Sequence, residues 1–194
     1  DKDDVNRIFS EIKKRNIEID TVFWCPGIYS PMRFENFDVE EAEGIISTNL
    51  TSIFFPFSLM LDYWKKNKKD FKTRSLHWIW VSSVAGYRGL PGSVAYGPTK
   101  AAMNNLAEAS YIELKPNNIN ITLVCPGFVE TRLTKKNNFH MPAIISPSEA
   151  SEYILKGLSK GKFEIHFPYK FTFFLKILSL LPRRIYFKLI RLID

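Results

Sequence analysis

Tyr96 and Lys100 stand four residues apart in a stretch with helical periodicity, so their side chains leave one face and can meet. A phenol ordinarily titrates near ~10, and a neighbouring ammonium favours the phenolate by Coulomb attraction, which suits a tyrosine to acid–base work. The same Tyr-x-x-x-Lys spacing recurs at Tyr111 and Lys115, so spacing alone selects neither pair. Context separates them. Thirteen residues before Tyr96 stands Ser83, which closes an apolar run and precedes the small residues Ala85 and Gly86; thirteen before Tyr111 stands Pro98, which has no hydroxyl to offer. By itself Ser83 reads as an ordinary loop or capping serine. Joined to Tyr96 and Lys100, it becomes a hydroxyl that can donate to the same reacting oxygen.

These residues need elements to hold them. Val5, Ile8, Phe9 and Ile12 recur at helical spacing and lead into the basic turn Lys13-Lys14-Arg15, the pattern of an amphipathic helix. Residues 19–24 form an apolar run rich in β-branched and aromatic side chains, stopped by Pro26-Gly27, and predict a buried strand. A helix is predicted over 39–64 and another over 94–114, with a strand over 76–81 between them and a third strand over 120–125, closed by Pro126-Gly127. A helix over 148–158 and a fourth strand over 163–167 follow. Strands alternating with helices of this length require parallel crossovers, so the fold class is α/β, with helices covering both faces of a parallel sheet. In such sheets ligands lie beyond the carboxyl ends of the strands, where Cys25-Pro26-Gly27, Ser82-Ser83 and Cys125-Pro126-Gly127 all fall.

Three segments, in this order, resemble the short-chain dehydrogenase/reductase family: Val81-Ser82-Ser83-Val84-Ala85-Gly86, Tyr96-Gly97-Pro98-Thr99-Lys100-Ala101-Ala102, and Pro126-Gly127-Phe128-Val129-Glu130-Thr131. Asn49, in Thr48-Asn49-Leu50, resembles the family's fourth catalytic residue; without the family it reads equally as a solvent-facing helix residue. The resemblance implies a Rossmann-like, doubly wound parallel sheet and hydride transfer between a nicotinamide and a carbonyl or alcohol. It makes Tyr96 the general acid or base, Ser83 the donor to the substrate oxygen, and Lys100 the group that lowers the Tyr96 pKa and holds the nicotinamide ribose. Asn49 would hold a water linked to Lys100. Gly27, Pro126, Gly127, Val129 and Thr131 would line the cofactor, together with Tyr96 and Lys100, and the cofactor would be NAD or NADP, with NADP preferred.

The sequence departs from the family twice. Trp24-Cys25-Pro26-Gly27 replaces the usual Asn-Asn-Ala-Gly, removing the side-chain amide that ties neighbouring strands. No glycine-rich phosphate loop stands between a strand and a helix, so the expectation is a chain lacking the first βα units of the fold, a fragment of a longer protein. That absence leaves open a second reading, a catalytically silent scaffold.

Composition sets wider bounds. The 194 residues carry 45% hydrophobic and 24% charged side chains, enough for one sizeable core. The net charge of +7 is compatible with nucleic acid, an acidic membrane or an anionic cofactor, but no recognition helix or aromatic-basic stacking platform is visible, and nucleic acid is not expected. The basic stretch from Lys65 to Lys72 reads as a solvated helix end. If the family's strand order holds, the Ser83 strand lies between those of Cys25 and Cys125, which would stand about 9–10 Å apart at ~4.8 Å per strand, beyond disulfide reach. The expected setting is cytoplasmic and reducing. His77, His140 and His166 share no ligand spacing, so no metal is assigned.

The chain divides into a catalytic domain over 1–166 and an apolar, basic helical extension over 167–194. Phe171, Phe173, Phe174 and Leu175 lead to Pro182, and Arg183, Arg184, Lys188 and Arg191 alternate with apolar residues beyond it. The run before the proline is too short to span a bilayer. Two readings stay open: a helix pair lying in a membrane interface, or a cover over the substrate cleft or a dimer contact. The 132–146 segment, with Phe139, Met141 and Pro142, falls where the family places its substrate loop and favours a hydrophobic, lipid-like substrate. Pairing into a homodimer through the helices of Asn49 and Tyr96 is the family's expectation.

Overall fold

The computed structural model describes residues 1–67 and 75–192; most of the basic stretch that follows Lys66, and Ile193 at the chain end, lie outside the described residues. Helix α1 (Lys2–Lys14) is capped by the Asp1 carboxylate, which accepts from Asp4 N at 2.9 Å. It carries Asp3 and Asp4 in its first turn and Lys13 and Lys14 in its last, each at the end its dipole favours. Four strands follow: β1 (Thr21–Trp24), β2 (Leu76–Val81), β3 (Ile119–Pro126) and β4 (Glu164–Phe167). All pairs are parallel and the spatial order equals the chain order, with Trp24 opposite Trp80, Val81 opposite Val124 and Cys125 opposite His166. The carboxyl ends of β1, β2 and β3 therefore stand side by side, and β2 separates the two cysteines, both of which are free thiols.

The two faces of the sheet are covered by different helices. Leu76, Trp78 and Trp80 of β2 and Ile121, Leu123 and Cys125 of β3 project to one face, where α3 (Ser52–Lys66) and α4 (Tyr96–Leu114) supply Ile53, Phe57, Met60, Trp64, Met103 and Ala107. Ile79, Val124, Ile165 and Phe167 project to the other, against Ala150 and Ile154 of α5 (Pro147–Leu158). The alternation follows from the two-residue strand period. Three indole N–H groups, on Trp24, Trp78 and Trp80, are buried without a hydrogen-bond partner. Each orphan costs about 1–3 kcal/mol. Burying a large aromatic removes on the order of 200 Å² from water, about 5 kcal/mol, so packing outweighs the loss. Trp64 avoids the cost by donating from Nε1 to the Ile19 carbonyl at 2.7 Å.

The run predicted as one helix over 39–64 is continuous but not uniform. Helix α2 (Val39–Ile46) passes through a turn of π-helix (Ser47–Thr51) before α3 begins. By length and composition residues 39–66 are apolar enough to cross a membrane, yet the stripe Ile53, Phe57, Met60 and Trp64 is buried on the sheet. After β4, α6 (Tyr169–Leu180) and α7 (Arg183–Ile190) are separated by Pro182, as the proline predicts. They fold back onto the segment after β2: Arg88 Nη1 donates to the carbonyls of Ser179 at 2.8 Å and Leu181 at 2.6 Å, its guanidinium lies 4.0 Å from the Tyr186 ring, and the Tyr186 hydroxyl donates to Gly89 O.

Candidate active site

At the carboxyl end of β2 the chain carries two serines with opposite duties. The Ser82 hydroxyl turns inward and donates to Asn104 Oδ1 at 2.6 Å, which fastens the strand end to α4. Ser83 turns outward, caps the short turn Val84–Gly86 and accepts from Ala85 N at 3.1 Å. Gly86 lets that turn lie directly on α4: a Cβ there would stand 2.7 Å from the carbonyl carbon and oxygen of Lys100. No backbone can yield that much, so glycine is required by approach. The turn and the helix start thereby bring Ser83 beside Tyr96, near enough for the serine hydroxyl to favour the phenolate. The helix begins at Tyr96 and not two residues earlier, so the phenol sits at its first turn, facing the strand ends.

Burial pushes the Tyr96 phenol up to about 12, although the neighbouring Ser83 hydroxyl pulls the other way. Lys100 was expected to draw this pKa down. Its Nζ instead lies 5.5 Å from the centre of the Tyr96 ring and donates to the Val81 carbonyl at 3.0 Å, so burial of the phenol dominates. Lys100 itself is 3% exposed, and desolvation lowers its pKa to about 8.

Asn49 is fully buried within the π turn, not solvent-facing. Its amide makes a two-way clasp with the backbone after β1: Oδ1 accepts from Ile28 N at 2.8 Å and Nδ2 donates to Ile28 O at 2.9 Å. The extra residue of a π turn rotates the side chain out of the helical stripe, which explains why helical spacing does not place it. A Cβ on Gly27 would stand 3.7 Å from Lys100 Nζ and 3.8 Å from Asn49 Oδ1, so Gly27, Asn49 and Lys100 converge at the end of β1.

Two neighbours carry no pattern in the sequence. The Tyr29 ring meets Tyr96 edge-on at 5.1 Å, and its hydroxyl donates to Asn137 Oδ1 at 2.9 Å. Lys136 Nζ donates to the Tyr29 carbonyl at 2.8 Å, so the loops after β1 and β3 are tied together beside the phenol. Thr99 donates to the Tyr96 carbonyl and lies 3.4 Å from Asn49 Nδ2. Tyr29 sits in irregular chain, where no periodicity exists to reveal it; Thr99 was visible only as a filler between Tyr96 and Lys100.

The remaining expected cofactor residues are spread along the chain after β3. Pro126 ends the strand, opposite Phe167. Gly127 donates from N to the Phe167 carbonyl at 2.7 Å and lies under α6, where a Cβ would meet the Phe171 ring at 3.0 Å. Val129 bridges to Ile145 and packs in the α5 core. Thr131 is exposed and closes a turn with Thr134. Among the expected cofactor residues, Gly27 and Lys100 converge with Asn49 at the end of β1. The convergence of a buried ammonium, a glycine and two hydroxyls at adjacent strand ends fits the nicotinamide-ribose part of a dinucleotide; residues 1–194 contain no glycine-rich loop for its pyrophosphate.

The second Tyr-x-x-x-Lys pair has a different place. Tyr111 packs on Phe163 at 4.8 Å, with Lys115 Nζ 5.8 Å from its ring, near the far end of α4. It braces the helix against the entrance to β4.

Against known proteins, the sequence profile of the short chain dehydrogenase family matches residues 1–141. An uncharacterized oxidoreductase of Myxococcus xanthus is 30% identical over 168 residues, 87% of this chain and 64% of that protein. The 3-ketodihydrosphingosine reductase of Mus musculus is 27% identical, over 84% of this chain and 50% of the relative. The chain thus spans between half and two thirds of the length of these relatives. Among solved structures, a short chain dehydrogenase from Burkholderia cenocepacia in complex with NADP superposes with a TM-score of 0.74 at 21% identity, over 97% of this chain and 74% of the other.

Proposed function

From a chain that belongs to the short-chain dehydrogenase family, we propose a protein that interconverts a carbonyl and an alcohol with NAD or NADP. The observation that carries this reading is the placing of Ser83 beside Tyr96 at the carboxyl end of the sheet, with the buried Lys100 Nζ 5.5 Å from the phenol ring. A bound nicotinamide supplies a hydride equivalent at the carbonyl carbon. Gly27 and Lys100 would hold its ribose end.

A phenol near 12 is fully protonated at neutral pH, the form a general acid needs. In the reduction direction Tyr96 gives its proton to the carbonyl oxygen while Ser83 donates a hydrogen bond to that oxygen. Lys100, still mostly charged at pH 7, stabilises the phenolate left behind. Asn49 keeps the backbone after β1 at the distance that leaves Gly27 facing Lys100.

The substrate side is apolar. Phe128 stacks on Phe171 at 5.6 Å and meets Phe139 at 5.9 Å, which supports a hydrophobic, lipid-like carbonyl compound; the name of the mouse relative points the same way. Two unpaired cysteines fit a reducing, cytoplasmic setting.

The lack of a phosphate loop within residues 1–194 favours a second reading, a silent scaffold. Titration of NADPH fluorescence, on this chain and on the longest form its gene encodes, separates the two. Binding by either form, with carbonyl reduction that Tyr96→Phe lowers by about 10²–10⁴-fold at unchanged NADPH affinity, supports the oxidoreductase. Failure of both forms to bind NADH or NADPH leaves the scaffold.

A further inference from the structure

Helix α6 is two-sided, and both sides are apolar. Its inner side, with Thr172 and Leu178 buried, rests on the protein. Its outer side presents Tyr169, Phe173, Ile177 and Leu180, at the i, i+4, i+8 and i+11 spacing of a single stripe. Tyr169 and Phe173 stack at 5.5 Å along it, and Leu180 at its end is 84% exposed. Phe174, beside the stripe, is 52% exposed, and Ile185 and Phe187 add exposed apolar side chains on α7. A solvent-facing helix side is normally polar, so a stripe of this length has a partner.

The charges around it identify that partner. Residues 167–194 contain Lys170, Lys176, Arg183, Arg184, Lys188 and Arg191 against the single carboxylate Asp194. Arg183, Arg184, Lys188 and Arg191 are all exposed on or just beyond α7, and Lys170 on α6. A second copy of this chain, seated on the same patch by a two-fold axis, would oppose cation to cation. The patch is the outer side of two surface helices and not a groove, which argues against an inserted peptide helix. Exposed aromatic and aliphatic side chains mixed with Lys and Arg, and almost no Asp or Glu, match the boundary between lipid headgroups and acyl chains.

We propose that α6 and α7 form a docking face for an anionic lipid bilayer, on which the helix pair lies flat with Phe173, Phe174, Ile177 and Leu180 in the acyl boundary and the α7 cations among the headgroups. The face is fixed relative to the catalytic group. Arg88, five residues after Ser83, holds the carbonyls at the end of α6 and the Tyr186 ring of α7. On the inner side Phe171 of α6 reaches Phe128 in the loop after β3. Docking would therefore set the aromatic pair directly behind α6, one helix from the membrane surface. The inference stands without the oxidoreductase reading, because binding to lipid requires no turnover.

The test is flotation of the chain with vesicles of pure phosphatidylcholine and with vesicles of phosphatidylcholine carrying about a third phosphatidylserine, at low and at high salt. The expected result is capture by the anionic vesicles, weakened by salt and by Arg183→Glu with Arg184→Glu by at least about tenfold. Phe174→Asp with Leu180→Asp is expected to abolish capture. Both pairs are exposed, and an unchanged circular-dichroism melt shows that each variant is folded. Three outcomes would overturn the proposal: no capture by anionic vesicles, equal capture by both vesicle types regardless of Arg183 and Arg184, or a stable dimer in light scattering that Phe174→Asp with Leu180→Asp dissociates.

Discussion

A buried ammonium beside a buried phenol sets opposite demands on stability and chemistry. Lys100 titrates at about 8 in the fold against an ordinary 10.5, so below pH 8 the folded state carries a charge it disfavours by about 3 kcal/mol. The sign follows from proton counting: between 8 and 10.5 the unfolded chain binds more protons than the folded one, and this group makes stability rise with pH. Lys100→Met is expected to raise the melting temperature at pH 7 while removing activity, and its advantage over the native protein should shrink as pH climbs toward 10.5. Denaturant melts of both proteins across that range check it. A Lys100→Met variant less stable at pH 7 would mean that the bond to Val81 O outweighs the desolvation.

Two contacts between elements decide whether the site and the C-terminal helices keep their places. Gly86→Ala would drive a methyl into the Lys100 backbone, so α4 and the turn after Ser83 must part. A loss of about 1–3 kcal/mol is expected, with a fall in turnover larger than any change in NADPH affinity, because the Ser83–Tyr96 contact opens. Arg88→Ala removes the donor that closes the end of α6 and the cation over Tyr186. The core helices should be unaffected while α6 and α7 open more often, which limited trypsin digestion at Lys176, Arg183 and Arg184 would register as about tenfold faster cleavage. Unchanged cleavage would place the hold on these helices elsewhere, in Lys176–Glu164 or in the Phe171 contact.

For the whole molecule, the outer sides of the helices that carry Asn49 and Tyr96 bear on assembly. Phe54 on α3 and Ile112 on α4 are exposed, at 53% and 73%, on elements whose inner sides are fully used by the core. We propose that two copies pair there, and Phe54→Asp with Ile112→Asp is expected to shift a dimer to a monomer in light scattering without changing the melt. A native protein that is monomeric at micromolar concentration would remove this contact. Such pairing uses a surface distinct from the α6–α7 face, so assembly and lipid docking can be tested separately.

The sequence by itself determined the alternation of strands and helices, because strand and helix periods are local and each apolar run is bounded by its own Pro, Gly or polar stop. It also singled out one Tyr-x-x-x-Lys pair as the candidate for chemistry, since Ser83 stands thirteen residues before Tyr96 and Pro98 thirteen before Tyr111. Only the tertiary structure decided the clasp of Asn49 on Ile28, the approach of Tyr29 to Tyr96, the place of Gly127 under Phe171, and the return of α6 and α7 onto Arg88. Each of these joins residues far apart in the chain through a loop or an irregular turn, where no repeat links position to direction. The side-chain pKa values belong to the same class, because burial of Tyr96 and Lys100 is set by what several elements jointly exclude, and not by the four residues that separate them.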